Sequence, residues 1–297
     1  MRPLIASLRP QEWVKNVLVF AGIVFSRSFD EAGAVADVLV TFVAFCAVSS
    51  AGYLFNDLRD VEHDRRHPDK RTRPIASGAL SETVAGLAAV VLALFALGLP
   101  LVLVSAEVTA IVGIYAVVTI LYSIVLKRLV IIDVMTISGL FILRVLAGAV
   151  AVGAGASEFL LVCTAMLALF LGFTKRRQEA ILEDLPPAKA APAGSAVPVT
   201  RPVLEHYSLP FLDQMIAMVT ATALISYVLY AVDSPIAGSK MLATAPSVLY
   251  GVFRYLYLIY DRRDTRSTAA IIARDPGVIF AGVTYVASAL VVLYVLD

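Results

Sequence analysis

The sequence predicts an all-α, polytopic membrane protein, and three observations support that fold class. Hydrophobic residues make up 60% of the 297 positions and charged residues only 16%, a balance outside that of ordinary soluble domains. The apolar residues form continuous runs near the ~20 residues that a helix needs to cross a hydrocarbon core. The charged residues are gathered in short stretches between those runs. Cys46 and Cys163 both lie inside apolar runs and are expected to be core residues.

Nine apolar runs are predicted to be membrane-spanning helices with their backbone hydrogen bonds satisfied internally. The first and sixth are short for a full crossing. The nine runs are residues 16–29, 36–55, 83–104, 108–126, 130–152, 159–174, 211–232, 241–260 and 277–296.

The distribution of Lys and Arg predicts the orientation of these helices, because cytoplasmic loops are enriched in both residues. The N-terminus and the loops after spans two, four, six and eight hold 21 of the 24 basic residues. The opposite ends hold only Arg27 and Lys240. The N-terminus is therefore predicted to be cytoplasmic, the C-terminus to be outside, and every long charged loop to face the cytoplasm. No cleavable signal peptide is expected.

A Pro- and Ala-rich stretch, residues 185–202, follows span six and contains five prolines. This composition predicts a flexible cytoplasmic linker. No soluble domain is expected on either side of it, so residues 1–297 are predicted to form a single membrane-embedded domain.

The charged loop at residues 56–78 (NDLRDVEHDRRHPDKRTRPIASG) is the first candidate for a functional site. Asp57, Asp60 and Asp64 are spaced so that, if the segment is helical, all three share one face. Like charges on one face repel unless a cation lies between them, and oxygen ligands at this density suit Mg²⁺ with a polyphosphate. The basic residues that follow are expected to bind the phosphates, and they are Lys70, Arg71 and Arg73. The alternative is a solvated loop that only sets topology.

The same residues resemble a known signature. The pattern Asn56-Asp57-x-x-Asp60-x-x-x-Asp64, followed by Arg73-Pro74-x-x-Ser77-Gly78, is similar to the first aspartate-rich motif of the UbiA superfamily of intramembrane prenyltransferases. This resemblance implies a nine-helix UbiA-like bundle over essentially the whole chain. It also implies a site that binds Mg²⁺ and a diphosphate through the first motif.

Two further polar groups stand out within or beside the predicted spans. Tyr122 and Lys127 resemble a helix-four element of the superfamily that faces the cavity, although a basic helix end also serves topology alone. Arg144 lies near the middle of its span, where a charge is costly and usually functional. We expect Arg144 to face a polar cavity and hold an anionic group or the motif carboxylates; the alternative is a structural ion pair with a neighbouring helix.

One departure from the ordinary superfamily pattern and one further resemblance point to a single branch of it. Lys175, Arg176 and Glu179 stand where ordinary members carry a second acidic motif, and a basic cluster suits a substrate with an additional phosphate. The alternative is a basic helix end that only sets topology. The N-terminal segment RPQEWVKN, which includes Lys15, also resembles that branch. Its members transfer 5-phosphoribose from phosphoribosyl pyrophosphate (PRPP) to a polyprenyl phosphate of the decaprenyl type, for the synthesis of cell-wall arabinose donors.

The resemblance therefore implies an Mg²⁺-dependent phosphoribosyltransferase of the plasma (inner) membrane with its active site facing the cytoplasm. Its partners would be PRPP and a lipid phosphate, no nucleic acid is expected, and a homo-oligomer is left open. The nearest alternative is a UbiA-type enzyme that moves a prenyl chain from its diphosphate to an aromatic acceptor. An alternative of another class is a transporter or lipid-binding protein with a polar cavity.

Overall fold

The computed structural model describes residues 2–26, 28–67, 70–155, 158–184, 202–232, 234, 237–262 and 268–294, and every regular element in them is a helix. The α-helices are α1 Arg2–Leu8, α2 Ala21–Ser26, α3 Ala32–Arg59, α4 Val61–Arg66, α5 Glu82–Leu103, α6 Ala106–Ile124, α7 Ile132–Ala151, α8 Glu158–Asp184, α9 Leu209–Val232, α10 Ala245–Tyr260, α11 Thr268–Arg274 and α12 Pro276–Tyr294. Short 3₁₀ helices lie between several of them. The all-α prediction is confirmed for the described residues.

Eight helical segments in the described part of the chain are long and apolar enough to cross a membrane, and they coincide with eight of the nine predicted spans. They are Ala32–Arg59, Glu82–Leu103, Ala106–Ile124, Ile132–Ala151, Glu158–Leu182, Leu209–Val232, Gly238–Tyr260 and Pro276–Leu293. The remaining predicted span, residues 16–29, is divided between the 3₁₀ helix Pro10–Phe20 and α2, each too short to cross a bilayer. The total of nine spans therefore stays a prediction.

The chain forms two compact units, Met1–Ala156 and Ser157–Asp297. Their boundary falls between α7 and α8, well before the stretch predicted to be a linker. That stretch, residues 185–202, lies outside the described residues except for Pro202, which begins the 3₁₀ helix Pro202–His206. A single domain over residues 1–297 stays a prediction.

Helix α3 is the central element of the first unit and contacts α5, α6, α7 and the 3₁₀ helix Pro10–Phe20. Val38 and Phe45 of α3 pack with Tyr115 of α6 and Val19 of the 3₁₀ helix in one buried core. Burial of these side chains orients α3 about its axis. The orientation in turn fixes where the carboxylates at its C-terminal end project.

Two glycines allow the N-terminal segment to lie directly against α7. A Cβ atom added to Gly148 of α7 would stand 1.7 Å from the carbonyl oxygen of Val19, and one added to Gly22 would stand 2.5 Å from the backbone nitrogen of Ala149. Small residues at crossing points let helix backbones approach closely in membrane proteins. The position of the 3₁₀ helix relative to α7 therefore depends on both glycines.

The loop after α4 is held by a small apolar core of its own. Ile75 is buried with Leu54 of α3, Val61 of α4 and Leu80, beneath the start of α5. Gly78 has a φ of +77°, which favours glycine, and its N–H donates to the carbonyl of Ile75 at 3.1 Å. The N–H groups of Ser77 and Leu80 donate to the carbonyls of Arg73 and Pro74 at 2.9 and 2.8 Å, so the same turn holds the backbone at Arg73.

The second unit pairs α8 with α9, and α10 with α12. Helix α8 runs to Asp184, beyond the predicted end of span six at residue 174, so the basic segment at residues 175–179 is helical. Neither cysteine forms a disulfide; Cys46 is buried and Cys163 is partly buried, as expected for core positions.

Candidate active site

The three motif carboxylates lie where α3 ends and α4 begins. Asp57 belongs to the last turns of α3, and Asp64 to α4. Asp60 separates the two helices with φ −93° and ψ 8°, although its N–H still donates to the carbonyl of Asn56 at 3.0 Å. A single helix from Asn56 to Asp64, which is the condition for the three carboxylates to share one face, is therefore not formed.

Asp57 and Asp64 meet around two arginines in what we call the carboxylate–arginine cluster: Arg9, Asp57, Asp64 and Arg73. Arg9 Nη2 donates to Asp57 Oδ1 at 2.6 Å and to Oδ2 at 2.9 Å. Arg73 Nη1 donates to Asp57 Oδ1 at 3.0 Å and to Asp64 Oδ2 at 2.6 Å. Both carboxylates are almost fully buried, at 3% and 2% exposure. A guanidinium nitrogen thus lies directly between them.

Asp60 has a different cation. Lys127 Nζ, from the turn after α6, donates to Asp60 Oδ2 at 2.8 Å and to Asn56 Oδ1 at 3.3 Å. Within the described residues, no three Asp, Glu, His or Cys side chains converge closely enough to hold one metal ion. The predicted triad is therefore resolved into a buried pair, Asp57 and Asp64, and a separate Asp60–Lys127 contact.

Arg9 reaches the cluster because the N-terminal segment bends at this residue. Its backbone is left-handed, with φ 53° and ψ 60°, between α1 and the 3₁₀ helix that starts at Pro10. Ser50 of α3 accepts from Trp13 Nε1 at 3.0 Å and donates to the carbonyl of Leu8 at 3.0 Å, which pins both sides of the bend. The Arg9 guanidinium also lies over the ring of Tyr53, 5.0 Å from its centroid.

Arg144 belongs to a deep polar network, which we define as Asn16, Ser49, Tyr115 and Arg144. Its Nε donates to Asn16 Oδ1 at 2.8 Å, its Nη2 to Tyr115 Oη at 2.6 Å and its Nη1 to the carbonyl of Leu140 at 2.7 Å. Ser49 contacts Tyr115 at 3.2 Å. Arg144 is only 4% exposed, and these partners are neutral. A role for Arg144 in binding substrate stays a prediction.

The other predicted residues of the first unit lie outside these two groups of contacts. Lys15 forms an ion pair with Glu12 on the 3₁₀ helix. Lys70 and the exposed Arg71 form a 3₁₀ turn whose backbone N–H groups are bonded to His67. Tyr122 is partly buried in the last turn of α6. Their predicted contacts with substrate stay predictions.

The predicted basic segment of the second unit forms part of α8. Arg176 is 1% exposed and its Nη1 donates to Glu179 Oε2 at 2.6 Å, while Lys175 is exposed. A further cluster joins Arg177 to Asp213 at 2.6 Å, and Tyr260 donates to the same carboxylate at 2.9 Å.

The second half of α10 is joined to the start of α12 by two hydrogen bonds. Arg254 donates from Nε and Nη2 to the two carboxylate oxygens of Asp275, each at 3.0 Å. These bonds lower the pKa of the Asp275 carboxyl, which also accepts from the N–H of Val278 at 3.0 Å. Asp275 therefore caps α12 in its ionised form.

Sequence reasoning passed over three residues that matter to the geometry. Arg9 lies in the N-terminal motif, but Lys15 was the residue predicted from it; the adjacent Pro10, which begins a helix, is the only local sign of the bend. Asn16 and Tyr115 stand within apolar runs. Because a charged residue inside a span needs polar partners, Arg144 was the signal that could have drawn attention to these two polar side chains.

The arrangement defines a class of protein. It is a multi-pass helical membrane protein with a charged site at one end of its helices, where carboxylates alternate with guanidinium and ammonium groups. Such a site can bind a divalent cation together with an anionic, phosphate-bearing ligand.

Comparisons with known proteins identify the family. The model of the UbiA prenyltransferase family matches residues 17–274. A decaprenyl-phosphate phosphoribosyltransferase of Corynebacterium glutamicum is 36% identical over 234 residues, covering 77% of this chain and 67% of the relative. The enzyme of the same name from Mycobacterium tuberculosis is 32% identical, covering 77% and 74%. A UbiA homolog from Archaeoglobus fulgidus, solved with GPP and Mg²⁺, superposes with a TM-score of 0.74 at 16% identity over 99% of this chain and 100% of that one.

The chain belongs to the UbiA prenyltransferase family. The family inferred from the Asn56–Asp64 motif is thereby confirmed, as is the all-α membrane fold.

Proposed function

We propose that this protein transfers 5-phosphoribose from PRPP to a polyprenyl phosphate in an Mg²⁺-dependent reaction. The observation that carries the proposal is the buried Asp57–Arg73–Asp64 arrangement, which combines ligands for a hard cation with ligands for phosphate. The names of the relatives from Corynebacterium and Mycobacterium support a polyprenyl-phosphate acceptor and a phosphoribosyl donor. The basic segment at residues 175–179 supports a donor with more phosphate than a prenyl diphosphate carries.

The residues present fit a magnesium ion. Arg73 Nη1 lies within hydrogen-bond distance of both Asp57 and Asp64, so a positive group already occupies the space between two carboxylates. Mg²⁺ is usually held by one or two carboxylates, with the remaining positions filled by water and substrate phosphates. Asp57 and Asp64 would hold the ion. We propose Asp60, with Lys127 and Asn56, as a third group in contact with the ion's water or with the diphosphate.

The chemistry assigned to the chain is positioning and charge stabilisation. When bound, Mg²⁺ would neutralise charge on the pyrophosphate as it leaves. The bond from ribose C1 to the pyrophosphate oxygen breaks, pyrophosphate departs with the electron pair, and a lipid-phosphate oxygen forms the new bond to C1. The acceptor phosphate is already ionised at neutral pH, so no side chain has to remove a proton from it. Arg9, Lys70, Arg71 and Arg73 are proposed to stabilise the phosphates through charge-assisted hydrogen bonds.

We also propose the location of the reaction. The predominance of Lys and Arg on one set of helix ends supports an active site facing the cytoplasm of a plasma (inner) membrane. PRPP is soluble and would enter from that side, whereas the isoprenoid chain of the acceptor would lie among apolar helices.

The test is product formation by purified protein with PRPP, Mg²⁺ and a polyprenyl phosphate, followed by mass spectrometry of the lipid. We expect a phosphoribosylated lipid, no product when Mg²⁺ is chelated, and a loss of activity of about 100-fold or more in Asp64→Asn, because a charged contact at the reacting centre is removed. Glu62→Gln is the matched control, since Glu62 lies on the same helix but faces solvent and pairs with Arg65.

Two outcomes would contradict the proposed function or its site. Product formation from a prenyl diphosphate and an aromatic acceptor, with none from PRPP, would establish the prenyltransferase alternative. Full activity of folded Asp64→Asn would remove Asp64 from the site.

A further inference from the structure

The cations of the candidate site are matched to its carboxylates. Asp57, Asp60 and Asp64 are each bonded to a basic side chain, and the basic partners are Arg9, Arg73 and Lys127. The formal charge of this group is therefore zero. Three of the four oxygen atoms of the buried pair, Asp57 and Asp64, accept hydrogen bonds from a guanidinium group.

A divalent cation that entered alone would meet carboxylates that are already paired. Both oxygen atoms of Asp57 accept from Arg9 or Arg73, so Asp57 could join Asp64 in binding the ion only if these bonds were released, and the arginines would then stand beside the new ion without those acceptors. Charges of one sign brought together near buried surface repel strongly, and a buried charge that loses its partner is costly. The arginines therefore compete with free metal for the same oxygen atoms.

A polyphosphate changes that balance because it supplies new acceptors. Guanidinium groups bind phosphate oxygens as well as carboxylate oxygens, in the same forked geometry. A cation that arrives with a polyphosphate brings compensating negative charge, so Arg9 and Arg73 can exchange carboxylate for phosphate without loss of pairing.

We propose that this site accepts a divalent cation and a polyphosphate only together, and that Arg9 and Arg73 pass from Asp57 and Asp64 to the phosphate oxygens when they bind. The inference rests on the proposed function and deepens it, because the exchange of Arg9 and Arg73 makes binding of the cation depend on binding of the polyphosphate. Arg9 is suited to this exchange, since its single backbone bend joins α1 to the 3₁₀ helix while Leu8 and Trp13 stay fixed on Ser50.

The test is equilibrium dialysis of the purified protein in nanodiscs against labelled Mn²⁺ and labelled inorganic pyrophosphate, over a range of free Mn²⁺ concentrations that is the same with and without pyrophosphate. For the wild type we expect pyrophosphate to raise the affinity for Mn²⁺ by roughly 10-fold or more, within the usual range of coupling between sites. In Arg9→Gln, Mn²⁺ alone should bind more tightly than in the wild type and pyrophosphate more weakly, so that the coupling falls.

Arg65→Gln is the matched control, because it removes the same charge from the neighbouring helix, where Arg65 pairs with Glu62 and Glu82 at the surface. It should keep the wild-type coupling. If Arg9→Gln does not fold, Arg73→Gln provides the same comparison.

Two results would overturn the inference. One is wild-type Mn²⁺ affinity that is equal with and without pyrophosphate. The other is an Arg9→Gln protein that binds both probes more weakly by the same factor, as a purely structural role predicts. Coupled binding by a protein that makes no phosphoribosyl lipid would refute the proposed function alone, and product formation without coupling would refute this inference alone.

Discussion

At the scale of single residues, pairing of buried charge distinguishes the two polar regions of the first unit. The carboxylates of the carboxylate–arginine cluster are matched by formal opposite charges, whereas the hydrogen bonds of Arg144 to other described residues go to the neutral acceptors Asn16, Tyr115 and Leu140. A buried guanidinium without a carboxylate depends strongly on each acceptor, since any donor left unsatisfied there is costly.

Asn16 provides the residue-scale prediction. Asn16→Ala removes the acceptor of Arg144 Nε at a position with no solvent exposure, and we expect a loss of about 2 kcal/mol or more of unfolding free energy. The measurement is the thermal transition in detergent, with the exposed Gln11→Ala on the same 3₁₀ helix as control.

A double-mutant cycle identifies the cause of that loss. The effects of Asn16→Ala and Arg144→Met should be less than additive, because the stranded donor is absent from the double variant. Additive effects would show that Asn16 stabilises the fold independently of Arg144.

At the scale of elements, the N-terminal segment brings the guanidinium group of Arg9 to Asp57 of the aspartate-rich motif. It is held at three places: by Ser50 at the bend, by the deep polar network at Asn16, and by the contact of Val19 and Gly22 with α7. The 3₁₀ helix begins directly after Arg9 and ends at the contact with α7. Its position on α7 is therefore expected to set the position of Arg9.

Gly148→Ala tests that coupling. The added methyl group would overlap the carbonyl of Val19, so the 3₁₀ helix must shift, at a cost of about 1–3 kcal/mol for overpacking. We expect a lower thermal transition and reduced transferase activity, measured on the same preparation. A variant with full activity would show that Arg9 does not depend on this contact.

The control is Gly139→Ala in the same helix, where an added Cβ meets no atom within 4 Å. There the substitution should be neutral or stabilising by about 0.5–1 kcal/mol, as for glycine in an open helical position.

At the scale of the whole molecule, the sidedness of charge makes a prediction about topology. Helix α5 has 22 residues, and at 1.5 Å per residue it is about as long as the ~30 Å hydrocarbon core. Its N-terminal end follows the charged loop, whereas the turn between α5 and α6 has no Lys or Arg. The two ends of α5 are therefore predicted to face opposite sides of the membrane.

Single cysteines at the two ends test this. The background is the Cys46→Ser, Cys163→Ser variant. In it, Ser77→Cys should react with a membrane-impermeant maleimide only after the cells are permeabilised, whereas Ala106→Cys should react in intact cells. Both positions are exposed. The reverse pattern of labelling would invert the predicted orientation and with it the proposed cytoplasmic site.

Much of the fold and part of the site could be predicted from the sequence because they depend on local properties. The length of an apolar run predicts a span, and eight of the nine predicted spans coincide with long helices. The motif from Asn56 to Asp64, with Arg73, identified the family. The spacing predicted a shared face only for a continuous helix, and the structure interrupts the helix at Asp60, whose carboxylate pairs with the lysine from after α6.

By itself, therefore, the sequence determined the class of fold, the family and the carboxylates of the candidate site. Only the tertiary structure decided which cation meets which carboxylate. Arg9 lies 48 positions from Asp57, Lys127 lies 67 from Asp60, and Arg144 lies 128 from Asn16. Contacts across such separations are set by how the helices pack, by two glycines at one crossing and by a single backbone bend. A one-dimensional pattern records hydrophobic length and spacing, but charge pairing depends on three-dimensional distance.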